Sequence, residues 1–83
     1  MAGKLTIPDL LAQVREGTPL TMITCYDYPT ACIIDRAGVD IVLVGDSVAM
    51  TVLGNPNTLP ATMDMMIVFA RAVARGCQRA FVI

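Results

Sequence analysis

An 83-residue chain with 55% hydrophobic and 16% charged residues is too apolar to remain disordered. Six basic residues against seven acidic ones give a net charge of −1, and the basic ones are scattered from Lys4 to Arg79, which excludes a nucleic-acid footprint. No apolar run approaches the roughly 20 residues needed to cross a bilayer, and no secretory signal is apparent. Histidine is absent, so imidazole bases and imidazole metal ligands are excluded within these residues. Cys25, Cys32 and Cys77 are odd in number and form no C-x-x-C pair; they read as free buried thiols in a reducing cytoplasm.

Thr6-Ile-Pro-Asp9 has the form of a helix start, with a hydroxyl cap, proline in the first turn and an acid three residues on. Leu10, Leu11 and Val14 supply its apolar face, and Gly17 ends it. Residues 20–26 are rich in β-formers and read as the first strand. Asp27 and Pro29 open a short helix with Ile33, Ile34 and Ala37 as its inner face and Gly38 as its stop. The aliphatic run at 40–44 predicts a second strand buried on both faces. A long loop follows, then Thr62 caps a helix over 63–75 closed by Gly76. Residues 79–83 read as a third strand.

Strands separated by helical crossovers lie parallel with right-handed connections, so the fold class is α/β. The pattern fits the first strands of a (β/α)₈ barrel, a fold of about 250 residues. A flavodoxin-like sheet fits the same alternation but needs more strands as well. Residues 1–83 are therefore expected to be the N-terminal part of a single barrel domain, with about three parallel strands and their helices.

In both architectures the active site lies at the carboxyl ends of the strands. The first predicted strand ends at Tyr26-Asp27 and the second at Gly45-Asp46-Ser47. Asp46 offers the hard oxygens that Mg²⁺ prefers, and Ser47 can donate to a carboxylate or carbonyl oxygen. The plainer reading is that both residues serve the turn, since Asp and Ser favour turns and helix caps. Asp27 reads as the cap of the helix after it, and Tyr26 either faces a substrate or fills the mouth of the barrel. The glycines match neither G-x-G-x-x-G nor a P-loop, so no nucleotide is indicated. Met63, Met65 and Met66 read as core or interface packing.

Three ordered motifs carry a family likeness: T-x-Y-D-Y at Thr24 to Tyr28, V-G-D-S at Val44 to Ser47, and T-L-P-x-T at Thr58 to Thr62. With the R-A-V-x-R-G run from Arg71 to Gly76, they resemble ketopantoate hydroxymethyltransferase, also called 3-methyl-2-oxobutanoate hydroxymethyltransferase, over nearly the whole chain. The resemblance implies a (β/α)₈ barrel related to the phosphoenolpyruvate mutase and isocitrate lyase group. It also implies Mg²⁺-dependent transfer of a hydroxymethyl group from 5,10-methylenetetrahydrofolate to 3-methyl-2-oxobutanoate, giving 2-dehydropantoate for pantothenate synthesis. A cytoplasmic homo-oligomer is implied as well, with decamers known in the family.

By the same resemblance, Asp46 falls on a Mg²⁺ ligand, and Asp46 and Ser47 together fall on the 2-oxo acid site. The family's catalytic base, a substrate-binding lysine and further acidic metal ligands lie beyond the matched motifs. No catalytic residue is therefore assigned within the chain, and alone it is expected to be inactive. Met65 stands where the family commonly has glutamate, and Phe69 where it commonly has histidine. Two other readings stay open: a different barrel enzyme of that group acting on another 2-oxo acid, and a non-catalytic module that associates with itself or a partner.

Overall fold

Helix caps written into the sequence set the positions of the main elements. The structure, a computed structural model, describes residues 3–83. Helix α1 (Ile7–Arg15) begins at Thr6, whose Oγ1 accepts from the Asp9 amide at 3.3 Å while Asp9 Oδ2 accepts from the Thr6 amide at 2.8 Å. That reciprocal capping box satisfies two otherwise unpaired donors. Strand β1 (Met22–Thr24) follows, then helix α2 (Tyr28–Arg36), capped by Asp27 Oδ1 on the Thr30 amide at 2.9 Å. Strand β2 (Ile41–Leu43) leads into a four-residue helix α3 (Val48–Thr51). Helix α4 (Met63–Gly76) and strand β3 (Phe81–Val82) complete the order.

The three strands form one parallel sheet in the order β1-β2-β3, with Met22 beside Ile41 and Ile41 beside Phe81. The α/β reading holds. The strands are shorter than the β-rich runs, but backbone pairing continues past them. Ile41 N donates to Thr21 O at 3.0 Å, Cys25 N to Leu43 O at 3.1 Å, and Val44 N to Ile83 O at 2.8 Å.

Helices α2 and α4 pack together over one face of the sheet and enclose the core of Ala31, Ile34, Val42, Val73, Cys77 and Ala80, with Cys25 joining it from the end of β1. Gly76 makes their close approach possible. A Cβ there would lie 2.7 Å from Ala31 Cβ and 2.9 Å from the Tyr28 carbonyl oxygen. Its φ is not positive, so its role is close packing rather than the left-handed helix stop that the sequence suggested.

Several expected faces differ. The inner face of α2 is Ala31 and Ile34; Ile33 is 66% exposed and Ala37 points outward. Of the α1 stripe only Leu10 is buried, with Leu11 and Val14 exposed. Strand β2 is covered on one face only: Val42 is fully buried, while Ile41 and Leu43 on the opposite face are half-buried. A strand's side chains alternate between faces, and among the described residues no layer packs on the second face. The loop expected after Ser47 instead begins with α3, which buries Val48 and Ala49 completely.

Two carboxylates tie the elements together at the amino-terminal end of the sheet. Asp35, on α2, accepts from the amides of Gln78, Arg79 and Ala80 at 2.8 to 3.1 Å and so fixes the turn between α4 and β3. Asp40, only 5% exposed, accepts from the Thr21 amide and hydroxyl and from Gln13, and pairs with Arg79 at 3.3 Å. Polar anchoring is thus concentrated at one end of the strands. No helix among the described residues is long and apolar enough to cross a membrane.

Candidate functional site

The opposite, carboxyl-terminal end of the sheet carries the residues singled out from the sequence. Beyond Thr24 the chain passes through buried Cys25 to half-buried Tyr26. Beyond Leu43 it passes through Val44 and Gly45 to Asp46 and Ser47, which turn directly into α3. Because β1 and β2 are parallel neighbours, these two exits lie side by side. The structure brings Tyr26 and Ser47 together: their hydroxyls are hydrogen-bonded across 21 residues of sequence.

Neither Asp46 nor Ser47 caps a helix. Ser47 is the residue heading α3, but its φ of −57° and ψ of −15° are already helical, and its side chain makes no capping bond. Thr6, Asp27 and Thr62, with extended ψ values of 169°, 166° and 161°, all do. A capping side chain needs that extended backbone to turn its oxygen back onto the first-turn amides. Ser47 lacks it, so its hydroxyl is left for Tyr26. The Asp46 carboxylate is exposed and makes no hydrogen bond or ion pair among the described residues. Only its backbone carbonyl serves α3, accepting from Ala49 at 3.0 Å.

The other residues at this end are engaged or neutral. Asp27 is spent on its cap, and hydrogen bonds from the Thr30 hydroxyl and amide hold its carboxyl below the usual range. Gly45 has no positive φ, and a Cβ there would make only ordinary contacts near 3.9 Å with Ser47 and Leu43. Nothing among the described residues therefore demands glycine at that position. No group of three or more acidic or cysteine side chains among the described residues could hold a metal by itself. A metal held at Asp46 would need its remaining ligands from elsewhere. Between the ends of β2 and β3 and the start of α4 runs an apolar groove of about 270 Å³ lined by Val44, Met63, Met66, Ala70 and Val82, so Met63 and Met66 border a surface as much as a core.

The cap of α4 holds a finding that the sequence pointed away from. Met65, in the position where glutamate would close a capping box, still does so: its Sδ accepts from the Thr62 amide at 3.4 Å while Thr62 Oγ1 accepts from the Met65 amide at 3.2 Å. Tyr26 neither simply faces a substrate nor simply fills the barrel mouth: it is bonded to Ser47, a partner that local sequence does not reveal. The T-x-Y-D-Y motif was the available signal.

A parallel α/β unit with an uncommitted carboxylate and a hydroxyl pair at adjoining strand ends belongs to the class that places ligand sites at the carboxyl edge of the sheet. Comparison with known proteins narrows the class. The chain belongs to the ketopantoate hydroxymethyltransferase family, whose model matches residues 4–83. It is 51% identical over 83 residues to the 3-methyl-2-oxobutanoate hydroxymethyltransferase of Magnetococcus marinus and 47% identical over 83 residues to that of Trichlorobacter lovleyi. In both cases the match covers 100% of this chain and 31% of the relative. Against a mitochondrial form from Oryza sativa subsp. japonica, identity is 49% over 80 residues, covering 96% of this chain and 20% of the relative. The chain thus spans less than a third of the length of these relatives.

Proposed function

We propose that residues 1–83 form the N-terminal portion of a (β/α)₈ barrel that transfers a hydroxymethyl group from 5,10-methylenetetrahydrofolate to 3-methyl-2-oxobutanoate, yielding 2-dehydropantoate. The observation that carries this reading is the carboxylate and hydroxyl side by side at the end of β2, the carboxylate without a partner among the described residues and the hydroxyl bonded only to Tyr26. Asp46 and Ser47 serve neither cap nor ion pair, while each of the three longer helices is closed by a side-chain cap. The names of the relatives supply the reaction and the oxo acid.

In this reading Asp46 presents a carboxylate oxygen to Mg²⁺, which characteristically takes one or two protein carboxylates and completes its shell with waters and substrate. When bound, the metal polarises the oxo-acid carbonyl and makes the neighbouring C–H proton easier to remove. Ser47 donates its hydroxyl proton to an oxygen of the oxo acid, which orients that acid at the strand ends. The base that takes the C–H proton is not assigned to any residue of this chain. The half-covered face of Ile41, Leu43 and Phe81 supports further strands closing over it, as the interior of a barrel does. Three free thiols suit a reducing compartment, and we place the enzyme in the cytoplasm as a homo-oligomer.

The test is a chimera in which this chain replaces the matched stretch of the Magnetococcus marinus relative. It is expected to form 2-dehydropantoate in a Mg²⁺-dependent manner. A soluble, folded chimera that binds neither Mg²⁺ nor 3-methyl-2-oxobutanoate would overturn the reading.

A further inference from the structure

We propose that Tyr26 is a positioning residue for the oxo acid, its phenol directing the Ser47 hydroxyl so that Ser47's own proton is left free for the ligand. This rests on the function proposed above and adds a residue to it. The two hydroxyls are hydrogen-bonded between the exits of β1 and β2. Together they hold two protons, and the bond between them uses one. A hydroxyl carries one donor and two acceptor sites, so whichever group accepts within the pair keeps its proton for a third partner. A phenol is more acidic than an aliphatic alcohol and is the better donor. Tyr26 therefore donates to Ser47 Oγ, and Ser47 donates outward.

Three further observations fit this direction. The helical backbone at Ser47 removes the first-turn amides of α3 as competing donors to its oxygen. Asp46 is adjacent to Ser47 in sequence and its carboxylate is exposed, so an oxo acid held at a metal on Asp46 would lie near the Ser47 hydroxyl. Donation into an oxygen polarises the O–H on that oxygen, so the phenol strengthens the outward bond. Tyr26 itself is half-buried, and its hydroxyl reaches across from the exit of β1 to Ser47.

The chimera described above, assayed for turnover and by calorimetric titration with 3-methyl-2-oxobutanoate in the presence of Mg²⁺, tests the proposal through Tyr26→Phe, Ser47→Ala and the double substitution. Removing only the phenol oxygen keeps the ring. Tyr26→Phe is expected to raise KM and Kd for the oxo acid about 3- to 10-fold, the span of one neutral hydrogen bond, with kcat within about twofold. In the Ser47→Ala background the same change should add nothing, because the hydroxyl that Tyr26 directs is gone. A raised KM in Ser47→Ala combined with an unchanged KM in Tyr26→Phe would overturn the role of Tyr26 alone. Equal increments in both backgrounds would do so too, reducing Tyr26 to packing. An unchanged KM and Kd in Ser47→Ala would instead remove Ser47 from the site and overturn the functional reading with it.

Discussion

Asp27, Asp40 and Asp46 all lie beside the strands, and what separates them is what each carboxylate touches. Asp27 holds a cap, and Asp40 holds Thr21, Gln13 and Arg79. Asp46 holds nothing among the described residues. An exposed carboxylate with no structural partner can be removed at little cost to the fold, so Asp46→Ala separates function from stability cleanly. In the chimera this substitution is expected to leave the thermal midpoint nearly unchanged and to lower activity by on the order of 100-fold or more, since even outer-shell partners of a metal cost about 10–100-fold. Activity as a function of Mg²⁺ concentration is the measurement. Near-normal turnover at low Mg²⁺ would show that Asp46 is no ligand.

At the scale of elements, packing decides what local pattern cannot. Gly76 sits where α4 meets α2, and a methyl group there would press on Ala31 Cβ and on the backbone of Tyr28 and Cys32. Backbone cannot swing aside like a flexible side chain, so Gly76→Ala should destabilise the chimera by about 1–3 kcal/mol, the usual cost of overpacking. Denaturant unfolding reads it, and an unchanged midpoint would mean that the helices part without penalty. The two anchoring carboxylates respond to pH. Burial pushes both Asp35 and Asp40 up. For Asp35 the three amides of the α4–β3 turn and nearby Arg79 more than offset this, and for Asp40 the donors of Thr21, Arg79 and Gln13 do the same, so both lie below the ordinary carboxylate value. A folded-state value below the unfolded one of about 3.9 contributes stability that is present above about pH 4 and is lost as pH falls through the lowered values. The chimera's unfolding midpoint should therefore fall on acidification below about pH 4, and Asp40→Asn should flatten part of that fall. An identical acid profile in that variant would remove Asp40 from the account.

The same scale shows what was legible. Thr6, Asp27 and Thr62 could be read as caps because a cap is a local pattern of a few residues. The inner face of α2 could not, because Ile33 and Ile34 are equally apolar and only the position of α4 decides between them. Helix α3 escaped notice because four residues show no periodicity and no side chain caps them. For the site, a place at a strand end was enough to pick out Asp46 and Ser47. The bond from Tyr26 arises only when β1 and β2 pair, so no local pattern contains it.

The whole molecule presents more apolar surface than a small soluble unit usually leaves wet. Leu59 is 87% exposed and Met63 74%, and Met22, Val68 and Ile83 are each at least 60% exposed. Met63 and Ile83 border one groove, which makes that surface continuous rather than scattered. Both β1 and β3 are edge strands with unpaired backbone groups, and no charged side chain lies within β1, β2 or β3 to discourage pairing. Burying one large aliphatic side chain contributes about 1.5–3 kcal/mol, so a handful left in water is comparable with the whole 5–15 kcal/mol stability of a typical domain. The 83-residue chain on its own is therefore expected to self-associate and to bind apolar dyes, and to take up neither Mg²⁺ nor 3-methyl-2-oxobutanoate with useful affinity, since Asp46 alone makes a poor metal site. Sedimentation across a range of concentrations, followed by calorimetry with both ligands, provides the check. A monomer that melts cooperatively, or one that binds the oxo acid with Mg²⁺, would mean that the exposed groove and open edges cost far less than their area implies.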